Sequence, residues 1–195
     1  MKIVLATKNP HKVTEIKSIV KDKNWEIVSL LDIAPDFEII EDGKTFEENA
    51  QKKAEMVIKE FGFITIGEDT GLEVDALNGR PGVYSARYAN EKASYEQNVI
   101  KLLDELKGIP IEKRTARFRC VCAVALLEKK TELFEGVCEG RIIFGPKGKK
   151  GFGYDPVFVP DGYEKTFAEL SSEEKNKISH RGKALRKVSK FLESL

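Results

Sequence analysis

The sequence predicts an α/β fold built on a long mixed β-sheet flanked by helices. Three observations carry that expectation. The chain opens with a strand, a polar loop and a helix in immediate succession. Two long strand patterns stand back to back in its second half. Helices and strands mix without the strict alternation of a purely parallel sheet. The composition agrees: of 195 residues, 41% are hydrophobic and 33% charged, a mixture that buries a core and keeps a polar surface. That length fits one ordinary domain, or two lobes around one cleft.

Ile3 to Ala6 reads as a short buried strand, followed at once by the polar turn Thr7-Lys8-Asn9-Pro10-His11-Lys12. Beyond it, Val13, Ile16, Ile19 and Val20 recur at helical spacing. In α/β folds such a loop lies at the carboxyl end of a strand, where ligands usually bind. Trp25 to Leu30 reads as a second strand. Thr45-Phe46-Glu47-Glu48 is a capping box that opens a helix through about Phe61, ended by Gly62. Phe63 to Gly67 is expected to be a strand, and Leu72 to Leu77 looks extended. Asn78-Gly79-Arg80-Pro81-Gly82 is a turn by composition. Ser94 to Leu106 is a strong helix, with Val99, Leu102, Leu103 and Leu106 on one face. Ala116 to Leu127 and Leu133 to Phe144 are the two long strand patterns. A Gly/Lys-rich loop spans Gly145 to Gly153, and Val157-Phe158-Val159 is a short strand. The tail from Ser172 to Leu195 is helical, interrupted near Ser179-His180-Arg181-Gly182.

Charge and cysteine content narrow the function classes. Lys+Arg is 33 and Asp+Glu is 32, so the basic excess of a general nucleic-acid binder is missing. An anionic ligand must then be held by a local cluster. Three cysteines, Cys120, Cys122 and Cys138, do not make a disulfide framework. The opening apolar run is too short for a signal peptide, and no window approaches the ~18 apolar residues of a membrane span. The expected location is the cytoplasm, with no nucleic-acid or membrane partner.

Five segments could carry chemistry. Thr7 to Lys12 offers a hydroxyl, two ammonium groups, a carboxamide and a helix N-terminus, the parts of a phosphate cradle. On its own such a loop is more commonly a solvated turn with an N-cap. Gly67-Glu68-Asp69-Thr70-Gly71 places two adjacent carboxylates at an expected strand end, costly unless cations or donors compensate. Magnesium suits such a pair, since it takes one or two carboxylates, waters and substrate phosphates. Glu41-Asp42-Gly43 could add a second metal-facing carboxylate, or be a solvated acidic turn. In Gly151-Phe152-Gly153-Tyr154-Asp155-Pro156, two glycines flank an aromatic that either faces a purine or tucks into the core. Lys175 with Ser179-His180-Arg181 is a basic cluster whose commoner meaning is a solvated helix face. Gly148 and Gly153 have P-loop glycine spacing, but Tyr154 stands where the lysine must be, so no Walker A loop is present. Cys120 and Cys122 share one face of a strand pattern with Phe118, Val124 and Leu126 and read as buried, inert thiols rather than a metal site.

Lined up in order, these segments closely resemble the inosine triphosphate pyrophosphatase family, the nonstandard purine nucleotide pyrophosphatases. The matching stretches are Leu5-Ala6-Thr7-Lys8-Asn9-Pro10-His11-Lys12, Thr45-Phe46-Glu47-Glu48-Asn49-Ala50, Gly67-Glu68-Asp69-Thr70-Gly71-Leu72-Glu73-Val74, Arg80-Pro81-Gly82-Val83-Tyr84-Ser85-Ala86-Arg87, Gly151-Phe152-Gly153-Tyr154-Asp155-Pro156 and Glu174-Lys175-Asn176-Lys177-Ile178-Ser179-His180-Arg181. The resemblance covers nearly the whole chain. It implies an elongated, two-lobed ITPase-like (Maf-like) domain over residues 1–195, a central cleft and a homodimer. It implies cleavage of ITP, dITP or XTP between the α and β phosphates, with Mg2+. By position, Thr7, Lys8, Asn9, Pro10, His11 and Lys12 would bind phosphate, and Glu41 and Asp69 would hold the metal. Asp69 would also accept the proton, and Thr70 would touch substrate. Phe152, Gly153, Tyr154, Asp155, Lys175, His180 and Arg181 would hold the base and nucleotide. Many relatives carry aspartate where Glu68 stands; the longer arm keeps the charge and changes its reach. A pyrophosphatase for pyrimidine or modified nucleotides, and a non-catalytic nucleotide- or nucleic-acid-binding module, are the alternatives.

Overall fold

The structure is a computed structural model and describes residues 1–22 and 24–195. The elements run β1 (Lys2–Leu5), α1 (Pro10–Ile19), β2 (Glu26–Ser29), a one-turn α2 (Leu30–Ile33), α3 (Phe46–Phe61), β3 (Ile64–Val74), α4 (Tyr95–Glu105), β4 (Thr115–Ala125), β5 (Glu132–Ile142), β6 (Phe158–Pro160), α5 (Ser172–Ile178) and α6 (His180–Glu193). The strands form a six-stranded sheet in the order β2-β1-β3-β4-β5-β6. β1 pairs in parallel with β2 and β3, whereas β5 and β6 are antiparallel, so the sheet is mixed as expected. The chain divides into two compact units. The first comprises Met1–Asp69, Cys120–Gly136 and Arg181–Leu195; the second comprises Thr70–Arg119 and Val137–His180.

In the first unit the sheet is covered on both faces, because alternate residues of β1 point to opposite sides. Ile3 and Leu5 pack with Ile16 and Val20 and with Leu185 and Val188 of α6. Val4 and Ala6 pack with Leu30 and with Val57 of α3. The Thr45 hydroxyl caps α3 by accepting from the Glu48 N–H. The return arm differs from the expected box: the Glu48 carboxylate accepts from Lys44 N at 2.6 Å, one residue upstream. Gly62, at φ 71°, ends the helix in the left-handed region.

β3 corrects one expectation. Residues 67–71 do not break the strand, and eleven residues run continuously from Ile64 to Val74. The polar run survives inside the sheet because Glu68 and Asp69, 2% and 6% exposed, find charged partners on opposite faces. Gly67 is needed for what lies above it. A β-carbon there would collide with the Ala50 carbonyl and come within 2.7 Å of Ala54 N, so α3 crosses the strand in direct backbone contact.

The second unit has its own core of Leu72 and Val74, Leu102 and Leu106, Phe118, Ile142, Phe158 and Phe167. A reciprocal Ser94–Gln97 capping box starts α4. Asn78 and Gly79 both have positive φ, in the turn that composition marks. The helical tail breaks at Ser179, whose extended backbone (φ −66°, ψ 156°) separates α5 from α6.

Candidate active-site residues

The first unit carries two charge clusters, one on each face of β3. On the α3 face, the Asp69 carboxylate accepts from the Asn49 amide at 3.1 Å through Oδ2 and pairs with Lys53 Nζ at 3.0 Å through Oδ1. Asn49 and Lys53 are one helical turn apart, so α3 delivers both to the same carboxylate. Lys53 also lies 3.4 Å from Glu41 Oε2. Two carboxylates 28 residues apart in sequence thus converge on one cation.

On the opposite face, Glu68 accepts from Arg181 Nε and Nη2 at 3.2 and 2.9 Å and pairs with Lys12 Nζ at 3.2 Å. Arg181 Nη1 bonds Glu15, one turn beyond Lys12 on α1. Burial alone would push the Glu68 carboxyl up, but Arg181, Lys12 and Lys53 outweigh it and hold it well below the usual carboxylate range. Burial opposes charge on Arg181 too, yet Glu68 and Glu15 raise it well above its ordinary value. Cys120 Sγ lies 3.3 Å from Glu68 Oε1, and burial, Cys122 and Glu68 push this thiol up. Both strand thiols are buried and reduced, as their alternation predicts.

The Thr7–Lys12 loop is the capped turn that the sequence also allows. The Asn9 side chain accepts from the N–H groups of His11 and Lys12 at 3.0 and 3.4 Å, so the helix start is occupied by its own cap. Pro10 is the first residue of α1, and Thr7 Oγ1 accepts from Asn9 N at 3.1 Å. Lys8 Nζ reaches the Pro35 carbonyl at 3.0 Å, and His11 is exposed.

In the second unit, Asp155 is the organiser. Its Oδ2 accepts from Lys175 Nζ at 2.6 Å and from Phe152 N at 2.9 Å, a buried pair that folds the loop around itself. A β-carbon on Gly151 would collide with this carboxylate oxygen, which explains that glycine; Gly151 and Gly153 both have positive φ. The Phe152 ring is half-buried, 5.8 Å from the Tyr95 ring, with the Lys175 ammonium 5.2 Å from its centre. Tyr154 is a core residue whose hydroxyl donates to the Ser85 carbonyl at 2.9 Å. His180 stacks on Phe118 at 4.6 Å and 11°. The Thr70 hydroxyl donates to the Arg119 carbonyl at 2.7 Å.

The structure therefore brings Lys12 to Arg181 through Glu68, Glu41 to Asp69 through Lys53, and Lys175 to Phe152 through Asp155. Sequence reasoning missed Asn49, Lys53 and Glu15. The signal was available for two of them, since Asn49 and Lys53 share a helix face with buried Ala50, Ala54 and Val57. Among the described residues no three His, Cys, Asp or Glu side chains converge as a ready-made metal cage. Glu41 and Asp69 nevertheless fit magnesium: both are hard oxygen donors, and both already face a single positive charge.

The model of the Ham1 family matches residues 3–191 of the chain. A protein of Bacillus subtilis (strain 168) named dITP/XTP pyrophosphatase is 52% identical over 191 residues, spanning 98% of this chain and 96% of its own length. The structure of the Staphylococcus aureus Ham1 protein superposes with a TM-score of 0.89 at 42% identity, over 100% of this chain and 99% of that one. A HAM1 protein from Coxiella burnetii does so at 0.90 and 38%, with 100% of both chains covered.

Proposed function

Because the chain belongs to the Ham1 family, we propose that it hydrolyses nonstandard purine nucleoside triphosphates, dITP, ITP and XTP, to the monophosphate and pyrophosphate. The observation that carries this reading is the Asp69 carboxylate, fixed in mid-strand by Asn49 and Lys53 and facing the same cation as Glu41. In this reading Glu41 and Asp69 hold magnesium. The ion, when bound, supplies charge neutralisation at the phosphate oxygens. Asp69 orients the attacking water and accepts its proton; the Asn49 bond holds the carboxylate in place while it does so. Lys8, Lys12 and Lys175 bind the phosphates and offset charge on the departing pyrophosphate. Thr7 and Asn9 shape the loop that presents Lys8, His11 and Lys12. Phe152 offers a face to the base, with Gly153, Asp155 and His180 fixing the loops around it. Tyr154 contributes from the core, and Thr70 contacts substrate through its side chain. Arg181 holds Glu68, which in turn pairs with Lys12, and is assigned to the base oxo group. We further assign residues 1–195 to one domain acting as a cytoplasmic homodimer, without nucleic acid or membrane as partner. The test is product analysis with ITP and magnesium: pyrophosphate and IMP are expected, and orthophosphate with IDP would overturn the assignment.

A further inference from the structure

The second unit has a groove of about 620 Å³, within the ~300–1,000 Å³ range of small-ligand sites. It lies beside the C-terminal end of α4 and is walled by Ile100, Leu103, Ile109, Pro110 and Phe144, with Arg114 among its lining. Two of the wall residues are unusual for their size and chemistry: Ile100 and Phe144 are each 66% exposed.

Arg114 is the reason to read the groove as a site. Its side chain is buried, the residue being 3% exposed. Nε donates to the Ile109 carbonyl at 2.9 Å and Nη2 to the Leu106 carbonyl at 2.7 Å, closing the last turn of α4. Nη1 is buried and has no hydrogen-bond partner among the described residues, and no carboxylate there pairs with the guanidinium. The one lining ammonium, Lys107, is already paired with Asp104. Burial lowers the affinity of Arg114 for its proton. The Phe144 ring lies over the guanidinium, 4.3 Å from centre to carbon, and supplies part of the missing negative charge with its π-face. It cannot satisfy the N–H at Nη1.

A buried donor without a partner, on a residue that lines an exposed apolar groove, is costly unless something completes it. We propose that this groove binds a small amphipathic monocarboxylate, its carboxylate on Arg114 Nη1 and its apolar body against Ile100, Leu103 and Pro110. The ligand shares the guanidinium with the exposed Phe144 ring, which turns aside to admit it. The net charge of the lining is one cation, since Lys107 and Asp104 cancel, so a monoanion is matched and a polyphosphate is not.

The probe is octanoate, titrated calorimetrically into the full chain, with octan-1-ol, acetate and inorganic phosphate alongside. Octanoate should saturate one site, and each of the other three should bind at least ~10-fold more weakly, the worth of a charge-assisted hydrogen bond or of the apolar wall. Equal binding of octanol would reduce the groove to an apolar surface. Equal binding of acetate or phosphate would make it an anion site without an apolar half. Either result, or no octanoate binding at millimolar concentration, overturns the proposal. Arg114→Met should abolish octanoate binding. Because that change also removes bonds to α4, Ile100→Glu is the second variant: it alters an exposed wall residue, should leave the thermal midpoint unchanged, and should weaken octanoate at least ~10-fold by repulsion. Retained affinity in Ile100→Glu places the bound octanoate elsewhere and overturns the site.

Discussion

At the scale of single residues, adjacency in sequence conceals separation in role. Glu68 and Asp69 are neighbours in β3, yet the period of two sends them to different faces and different cations. Their substitutions should therefore fail differently. Asp69→Asn keeps shape and the Asn49 contact while losing charge and basicity. It should cut kcat at least ~100-fold per folded molecule, and the midpoint should fall as well because buried Lys53 loses its nearer anion. A near-normal rate at saturating magnesium would remove Asp69 from the mechanism. Glu68→Gln instead leaves Arg181 and Lys12 buried without their shared anion. Loss of one partner from such a pair costs roughly 3–5 kcal/mol, so the midpoint should fall by about 10 °C in thermal denaturation. An unchanged midpoint would show that Glu15 alone satisfies Arg181.

Asp155 teaches the same lesson in the second unit. The sequence marks Phe152 as either a stacking face or a core ring, and the structure leaves it half-buried beside Tyr95 and Lys175. Phe152→Ala should raise KM for ITP, GTP and ATP alike, since stacking on a base is worth roughly 1–3 kcal/mol and tolerates different bases. An unchanged KM would confine the ring to packing against Tyr95.

At the scale of elements, the decisive contact is α3 on β3. Gly67 lets the helix backbone touch the strand, and the same approach sets Asn49 and Lys53 against Asp69 two residues on. Gly67→Ala must push α3 away, because the obstruction is the Ala50 carbonyl and Ala54 N rather than a movable side chain. Overpacking of this kind costs about 1–3 kcal/mol. The expected outcome is a loss of kcat out of proportion to the loss of stability, read by comparing turnover with the folded fraction at the assay temperature. Proportionate losses would mean that the helix registers elsewhere.

Much of this architecture is legible in sequence where the signal is local. The opening strand–loop–helix, the Thr45 cap, the Ser94 helix and the two long strands follow from periodicity and capping chemistry within a few residues. β3 is not legible in the same way. Its centre, Gly67 to Gly71, has the composition of a turn, and only ion pairs to Lys12, Lys53 and Arg181, up to 113 residues away, make it a strand. The packing of Tyr154 is not legible either: its motif is local, but the Ser85 carbonyl that takes its hydroxyl lies 69 residues upstream. The Arg114 groove has no motif at all, since an unpaired donor can be recognised only when every neighbour is placed.

At the scale of the whole molecule, the question is what the fold requires of the metal that its chemistry would use. Many small metalloproteins unfold when chelated because the free energy of metal binding is part of their folding free energy. Here Glu41 and Asp69 face Lys53, whose ammonium already neutralises part of their charge within the first unit. The fold should then be stable without magnesium, and chelation should abolish ITP hydrolysis while leaving the thermal midpoint within about 1–2 °C. Lys53→Met is the informative partner experiment. It removes the internal cation from a nearly buried position, keeps an unbranched side chain of similar length, and leaves the two carboxylates to repel. Magnesium becomes the remaining means of neutralising them. The variant should be less stable than the parent in chelator and should regain stability as magnesium is added, following RT ln(1 + [Mg]/Kd), so that a hundredfold excess over Kd restores about 2.7 kcal/mol. The parent should respond weakly to the same titration, because magnesium must first displace Lys53 from the carboxylates. Thermal denaturation of both proteins across a magnesium series decides the matter. If the two midpoints rise in parallel, Lys53 does not stand in for the metal, and the convergence of Glu41 and Asp69 on it is an ordinary ion pair.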